Sequence, residues 1–519
     1  MSGGNVVLKW IQRRCSWRRK AGLIISALAG TFASAEVIDL GTRRELFVDD
    51  FLTAKAEHVE WRAQTPRLAG RAFNFDRPHE GAFAGYVSIV TVPGEGFRAY
   101  YRGLPTPSRA AEGLDVTAYA TSTDGVTWSK PADNIVLREH APASHNLNVF
   151  YDLNPAAPAE ERWKAVGGIQ TSGLRRFVSA DGVNWTPFMA GEPMMPITDD
   201  YRYDSLNVVF WSEAEAKYVC YYRSFRDFED GRRVRWVSRA TSLDFVTWHD
   251  EGPMAFLDAD GDAAPPEQIY TNQTTPYFRA PHLYVGIAGR LVEGRQVVTD
   301  GMAARLGVDP DYYRDVSDGV LLTTRGDLTY QRTFVESFLR PGPGWENWTS
   351  RNNYPALGII PTGPREMSFF VQRRYGQPDQ HMARYTLRTD GFASLHAGYK
   401  TGEWLSRPIR FSGNRLEINY ATSAAGSLRF ELQDAAGEPI DGFALADSRL
   451  VVGDEIAGWV DWQGEVDLSA LAGRVVRLRI ELQDADLFAF AFATEEANAA
   501  QNSAPNTIQH EPTHRPPRP

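Results

Sequence analysis

The sequence predicts an all-β chain, a five-bladed β-propeller followed by a C-terminal β-sandwich. Three observations predict it. Five segments between residues 80 and 373 repeat one pattern: a polar residue, an apolar strand, a turn and a second strand. A turn signal, Ser-x-Asp-x-x-x-Trp, recurs at Ser122, Asp124 and Trp128, at Ser179, Asp181 and Trp185, and at Ser242, Asp244 and Trp248. The 519 residues hold 44 Gly, 31 Pro and 14 Trp, which suits many short strands and tight turns.

The repeats are 80–90 with 97–102, 145–150 with 162–167, 204–210 with 218–223, 272–277 with 282–287, and 352–357 with 367–373. Each reads as a four-stranded antiparallel meander. Asp-Gly in two of the turn signals is a hairpin signature, and the Trp packs beneath the turn. These residues are therefore structural. A degraded copy of the signal lies at 324–330. The segment Val37 to Leu52 is expected to pair with the last blade or to lead into the first.

The pattern stops near His396. The propeller is placed at 36–395 and the sandwich at 396–494, about 100 residues of alternating strands. The tail at 495–519 has no apolar period and reads as disordered. At the other end, Lys9, Arg13, Arg14, Arg18, Arg19 and Lys20 precede an apolar run and Ala33-Ser34-Ala35. That is the layout of a secretory signal, residues 1–35, cut before Glu36. Losing its six cations moves the net charge from −10 to −16. The mature chain is expected to be soluble, secreted or periplasmic, with no membrane contact after cleavage.

The acidic balance argues against a nucleic-acid partner. Only Cys15 and Cys220 are present, and the first leaves with the signal, so no disulfide framework is possible. The ten His show no metal-ligand spacing. Asp258, Asp260 and Asp262 lack the bidentate Glu of a calcium loop. No phosphate loop, dinucleotide fingerprint or Gly-x-Ser-x-Gly elbow occurs. No cofactor and no metal are expected.

Propeller geometry selects the candidate site. The start of the innermost strand and the end of the second lie on the same face. The first group contains Glu80, Asn146 or His145, Asp204, Asn272, and Asn352 or Asn353. The second adds Arg102, Arg223, Arg290 and Arg373, lying 22, 19, 18 and 20 residues after Glu80, Asp204, Asn272 and Asn353. Such a polar ring suits a polyhydroxylated ligand, with Asn148, Tyr270 and Tyr354 as further contacts. Two facing carboxylates are the minimum for glycoside hydrolysis. Glu80, Asp204 and Glu267 are the candidates, against the alternative that each is a partner for an arginine or a strand-end cap. The arginines either receive an anionic sugar or neutralise these acids. Trp404, Trp459 and Trp462 are the sandwich aromatics available to a sugar, although bracing the propeller is its expected role.

Residues 46–52 (LFVDDFL), 270–273 (YTNQ), 351–354 (RNNY) and 385–392 (YTLRTDGF) resemble secreted bacterial glycosyl hydrolase-like propellers similar to glycoside hydrolase families 32 and 43. The resemblance implies a nucleophile or base role for Glu80, a modulating role for Asp204 and a proton-donor role for Glu267. Two departures stand out: those families open blade one with Asp, and they carry the second acid on blade two. The expected function is hydrolysis of a poly- or oligosaccharide by carboxylate acid–base catalysis. The alternatives are a non-catalytic glycan-binding propeller and a sialidase-like enzyme with converging arginines and a Tyr–Glu pair.

Overall fold

The structure is a computed structural model that describes residues 36–106, 114–138, 142–464 and 467–494. The expected export signal and the expected tail lie outside the described residues.

Five sheets form the blades of a propeller. Blade one runs outward through Gly85–Val92, Gly96–Gly103, Val116–Ser122 and Ile135–Leu137. Blade two uses Asn148–Tyr151, Trp163–Gly167, Arg175–Ser179 and Thr186–Pro187. Blade three uses Val208–Ser212, Lys217–Asp227, Arg233–Ser242 and His249–Pro253. Blades four and five depart from the simple meander. In blade four the inner position is shared by Gln268–Thr271 and Thr274–Tyr277, and Ala255–Leu257 adds outside in parallel. In blade five the outermost strand is Arg67–Asn74, which pairs with His381–Arg388. The start of the chain thus closes the ring, because a strand supplied from the far end ties the last blade to the first.

The turn signals do what turn chemistry requires. The Asp124 carboxylate accepts from the backbone N–H of Val126 and Thr127, both at 2.8 Å, and Asp181 and Asp244 repeat this. Gly125 and Gly182 have φ of 70° and 73°; in the third copy Phe245 adopts φ of 63° without the freedom of Gly.

The N-terminal segment differs from its expected place. Ile38–Gly41 runs parallel to Ile409–Phe411, and Glu45–Leu46 pairs with Phe490 and Ala489. Burial is the reason: Ile38, Leu40, Phe47 and Leu52 share a core with Trp404, Phe411 and Phe490. The C-terminal sheet is built on the long strands Arg415–Gln433 and Arg477–Ala493, with Ala393–Ala397 and Gly402–Ser406 beside them. Trp404 and Trp462 are fully buried there and offer nothing to a sugar. Trp459 lies under the Arg415 guanidinium at 4.6 Å. Among the described residues no helix is long and apolar enough to cross a membrane.

Charges also join the N-terminal segment to blade four. Glu45 is 1% exposed and meets Arg43 at 2.8 Å, His282 at 3.0 Å and Arg325 at 2.9 Å. Burial alone would raise its carboxyl. Arg325, His282 and Arg43 overcome this and bring it from 4.5 down to about 2. Its stabilisation is therefore complete above pH 4.5 and is lost as pH falls through about 2. Glu45→Gln is expected to cost about 3 kcal/mol, as when one partner of a buried pair is removed. Urea unfolding at neutral pH and at successively lower pH checks this: the gap between variant and wild type must narrow as pH falls.

Candidate active site

The innermost strands meet around the axis, where their inner edges have no further strand to pair with. Amide side chains satisfy those edges. Asn148 Nδ2 donates to Ser88 of blade one at 3.2 Å, and its Oδ1 accepts from Val209 N of blade three at 2.8 Å. Asn207 Oδ1 accepts from Arg223 N at 3.0 Å, and Gln273 Nε2 donates to Pro355 O of blade five at 2.6 Å. Leu357 N donates to Val87 O at 2.8 Å and closes the circle.

Asn207 and a further amide, Asn146, hold one turn. Asn146 Nδ2 donates to the carbonyls of Tyr203 and Ser205 at 2.8 and 2.7 Å, and Asn207 Nδ2 does so at 2.8 and 3.0 Å. Between them stands Asp204. Tyr203 has φ of 72°, a strained value for a residue with a side chain. Ser205 Oγ donates to Tyr270 O at 2.8 Å and fastens the turn to blade four.

Beside this turn lies a cavity of about 30 Å³ lined by Tyr86, Arg102, Tyr270, Arg351, Tyr354, Gln372 and Tyr375 among others. Two of the tyrosines reach it through bulges. Gly85 pairs with Arg102 but Ser88 pairs with Tyr100, and Ile269 pairs with Arg290 but Thr271 with Gly289. The irregular residues are Tyr86 and Tyr270, and a bulge re-aims a side chain in this way. Tyr270 stacks on Tyr354 at 4.8 Å. Gly289 makes the space, since a Cβ there would stand 2.7 Å from the Tyr354 ring. One long connection of blade four, carrying the helix Asp300–Leu306, reaches across and sets Tyr312 against Tyr375 at 5.3 Å.

The electrostatics centre on Asp204. Its side chain keeps 41% of its surface exposed. His145 Nε2 is 3.5 Å from it, and His145 Nδ1 is 3.3 Å from Asp115. Arg102 Nη1 lies 3.0 Å from Nε2. Nδ1–H therefore faces Asp115 in either protonation state, and Nε2 is the atom that gains or loses the proton. Burial would push the Asp204 carboxyl up, yet the His145 bond and the charges of Arg223, His145 and Arg351 hold it well below the carboxylate range. Burial and Arg102 pull His145 down, but Asp115 and Asp204 outweigh them and leave it above 6.5. Burial would also raise the Tyr270 phenol, yet Arg351 and Arg223 bring it below 10. Burial keeps Tyr86 and Tyr354 well above 10.

Of the residues expected at the site, Asp204, Arg102, Arg223, Tyr270 and Tyr354 are brought together. Arg223 lies over the Tyr270 ring at 4.5 Å and donates to Tyr270 O at 2.8 Å. Glu80 is not with them. A short turn, Gly81–Phe83, separates it from its strand and folds the carboxylate under blade one. There it is fully buried and accepts from Tyr101 at 2.6 Å, Lys130 at 2.6 Å and Arg77 N at 2.9 Å. Glu267 is clamped by Arg290 and, at 2.7 Å, by Arg332. Arg290 is spent on Glu267 and Asp318. Arg373 turns away because its neighbour Gln372 faces the cavity; it bonds Asn353 and Pro341 O.

The expected sugar contacts Asn146, Asn148, Asn272, Asn352 and Asn353 are buried and bonded to protein. Asn272 Oδ1 accepts from Thr274 N at 3.1 Å, Asn352 Oδ1 from Tyr375 N at 3.0 Å, and Asn353 Nδ2 donates to Ser317 O at 2.8 Å. They are clamps, because an unpaired inner edge demands donors and acceptors. Tyr86, Asp115, Arg351 and Tyr375 were missed, and His145 was weighed only as an alternative to Asn146. No sequence period marks a bulge or a long crossing loop. Among the described residues no cluster of His, Cys, Asp or Glu is placed to hold a metal.

No family model and no curated protein matches the chain. Solved structures match at low similarity. A GH32 β-fructofuranosidase from Bombyx mori is 11% identical with TM-score 0.37, over 81% of this chain and 94% of that one. An N-acetylgalactosamine deacetylase from F. plautii, in complex with blood group B trisaccharide, is 14% identical with TM-score 0.41, over 64% and 96%. An α-L-arabinofuranosidase from Podospora anserina, in complex with cellotriose, is 14% identical with TM-score 0.37, over 63% and 96%. At such scores the five-blade assignment rests on this chain's own strand order.

Glu80→Gln is expected to destabilise the fold by about 2 kcal/mol, because the buried carboxylate loses its charge-assisted bonds from Tyr101, Lys130 and Arg77 N while Lys130 keeps Asp76 at 3.0 Å, and to leave the funnel intact. Urea unfolding together with glycan affinity checks this: an unchanged midpoint with lost affinity contradicts it.

Proposed function

We propose that the funnel beside Asp204 takes a sugar and hydrolyses its glycosidic bond. The observation that carries this reading is Asp204 itself. It is an ionised, solvent-open carboxylate next to an aromatic cavity, set on a turn that two asparagines hold still. A carboxylate so far down cannot serve as the acid at working pH. It acts at the anomeric carbon as base for the attacking water. Tyr270 is the proton donor, since the arginines beside it ease loss of its proton. The bond from the anomeric carbon to the leaving oxygen breaks, and that oxygen takes the Tyr270 proton. Water forms the new bond and gives its proton to Asp204. His145 is a positioning residue that holds Asp204 and exchanges protons with it. Export to the periplasm or the medium belongs to this reading, since polysaccharides are met outside the cell.

The sialidase-like alternative needs a Tyr–Glu pair among the arginines. The Tyr101–Glu80 pair is fully buried in blade one, where Lys130 and Asn134 take the Glu80 carboxylate. A propeller that only binds glycans has less use for an Asp204–His145–Asp115 relay.

Product release from a panel of plant and algal polysaccharides tests the proposal. Asp204→Asn and Tyr270→Phe are each expected to lower kcat by about 10²- to 10⁴-fold with unchanged melting. Asp204 stays charged well below 3.8, and the Tyr270 phenol loses its proton below 10. The wild-type profile should therefore be flat through the mildly acidic range and fall as pH rises toward 10. Full turnover by Asp204→Asn overturns the assignment.

A further inference from the structure

Four arginines of the funnel level are already engaged. Arg102 is bound to Phe83 O, Tyr375 and His145, and Arg223 to Tyr270 O. Arg290 holds two carboxylates, and Arg373 holds Asn353 and Pro341 O. Arg351 differs. It lines the cavity, and among the described residues its guanidinium has no hydrogen-bond acceptor and no ion-pair partner. Its guanidinium carbon stands instead over the rings of Tyr312 at 4.9 Å and Tyr270 at 5.6 Å. Such ring contacts do not replace full-strength hydrogen-bond acceptors for the N–H groups, and the N–H fork of a guanidinium fits a carboxylate.

The backbone is held so as to aim it there. Arg351 has φ of 57° and Asn353 has φ of 64°. A residue with a side chain keeps such an angle only where its surroundings impose it. Here Gln372 Nε2 donates to Arg351 O at 3.1 Å, Ser317 Oγ to Asn352 O at 2.5 Å, and Asn352 Nδ2 to Glu346 O at 3.1 Å. Among the described residues the charges near the cavity do not balance. Arg102, Arg223 and Arg351 face Asp204 and Asp115, an excess of one cation before His145 is counted, inside a chain of net charge −10. The cavity of about 30 Å³ has room for a small polar group.

Resting on the reading that the funnel takes a glycan, we infer that its substrate is an acidic sugar, a uronic acid whose carboxylate enters this cavity and is held by the Arg351 guanidinium. The ring then stands above the cavity beside Asp204.

Calorimetric titration with galacturonate and glucuronate oligosaccharides, and with the same compounds reduced at the carboxyl to neutral sugars, tests this. The wild type should bind the acid form about ten- to a hundredfold tighter, the value of a charge-assisted pair. Arg351→Met should abolish that preference while keeping the weaker binding of the reduced form, and Arg351→Lys should keep part of it. Equal affinity of the wild type for both forms overturns the inference and leaves the glycan reading standing. So does an acid preference that survives in Arg351→Met, or tighter binding of a sulfated neutral sugar. Failure of the wild type to bind either form overturns both. Melting of both variants, with Arg351→Lys as the milder change, separates lost binding from lost fold.

Discussion

The inner strands of a propeller face one another around an axis and cannot pair across it. Each presents a row of N–H and C=O groups that burial would leave unsatisfied, at about 1–3 kcal/mol for each. This chain meets that constraint with amide side chains that reach from blade to blade. Asn148 links blades one, two and three; Asn146 reaches from blade two to the turn before blade three; Gln273 joins blade four to blade five. The site follows from the clamps. The carbonyls on both sides of Asp204 are held twice over, so its carboxylate stands still in a place where water can reach it.

Opposed electrostatic effects then divide the labour. Burial alone would drive Asp204, Tyr86, Tyr270 and Tyr354 toward their neutral forms. His145 with Arg223 and Arg351 reverses this for Asp204, and Arg351 with Arg223 reverses it for Tyr270, but Tyr86 and Tyr354 stay high. The outcome is one group that holds its charge and one that gives up its proton more readily than its neighbours. At working pH the first is ionised and can act only as a base, and the second still carries its proton and can act only as an acid.

The fold was largely legible in the sequence, because turn chemistry and strand alternation are local. The three Ser-x-Asp turns, the five repeats and the rim position of Asp204 all follow from spacing. The strand that closes blade five and the docking of residues 38–52 on the C-terminal sheet were not legible, since they depend on which distant surface buries Ile38, Leu40 and Phe47. At the site, spacing placed residues at the right level of the blades but not on the right face. Glu80 turns under blade one and Arg373 turns outward, while Tyr86 and Tyr270 turn inward at bulges. The asparagines have the composition of a sugar site and the geometry of a clamp. Arg351 lay inside a noticed motif, yet its importance rests on its guanidinium having no hydrogen-bond or ion-pair partner among the described residues, which only a structure reveals.

The most direct test of the account is a crystal structure of the Asp204→Asn variant grown with an oligosaccharide that the wild type cleaves. The account predicts a sugar ring over the cavity between Tyr86, Tyr270 and Tyr354, with its anomeric carbon facing residue 204. A sugar seated on the C-terminal sheet or on an outer blade face, with the funnel empty, would contradict it.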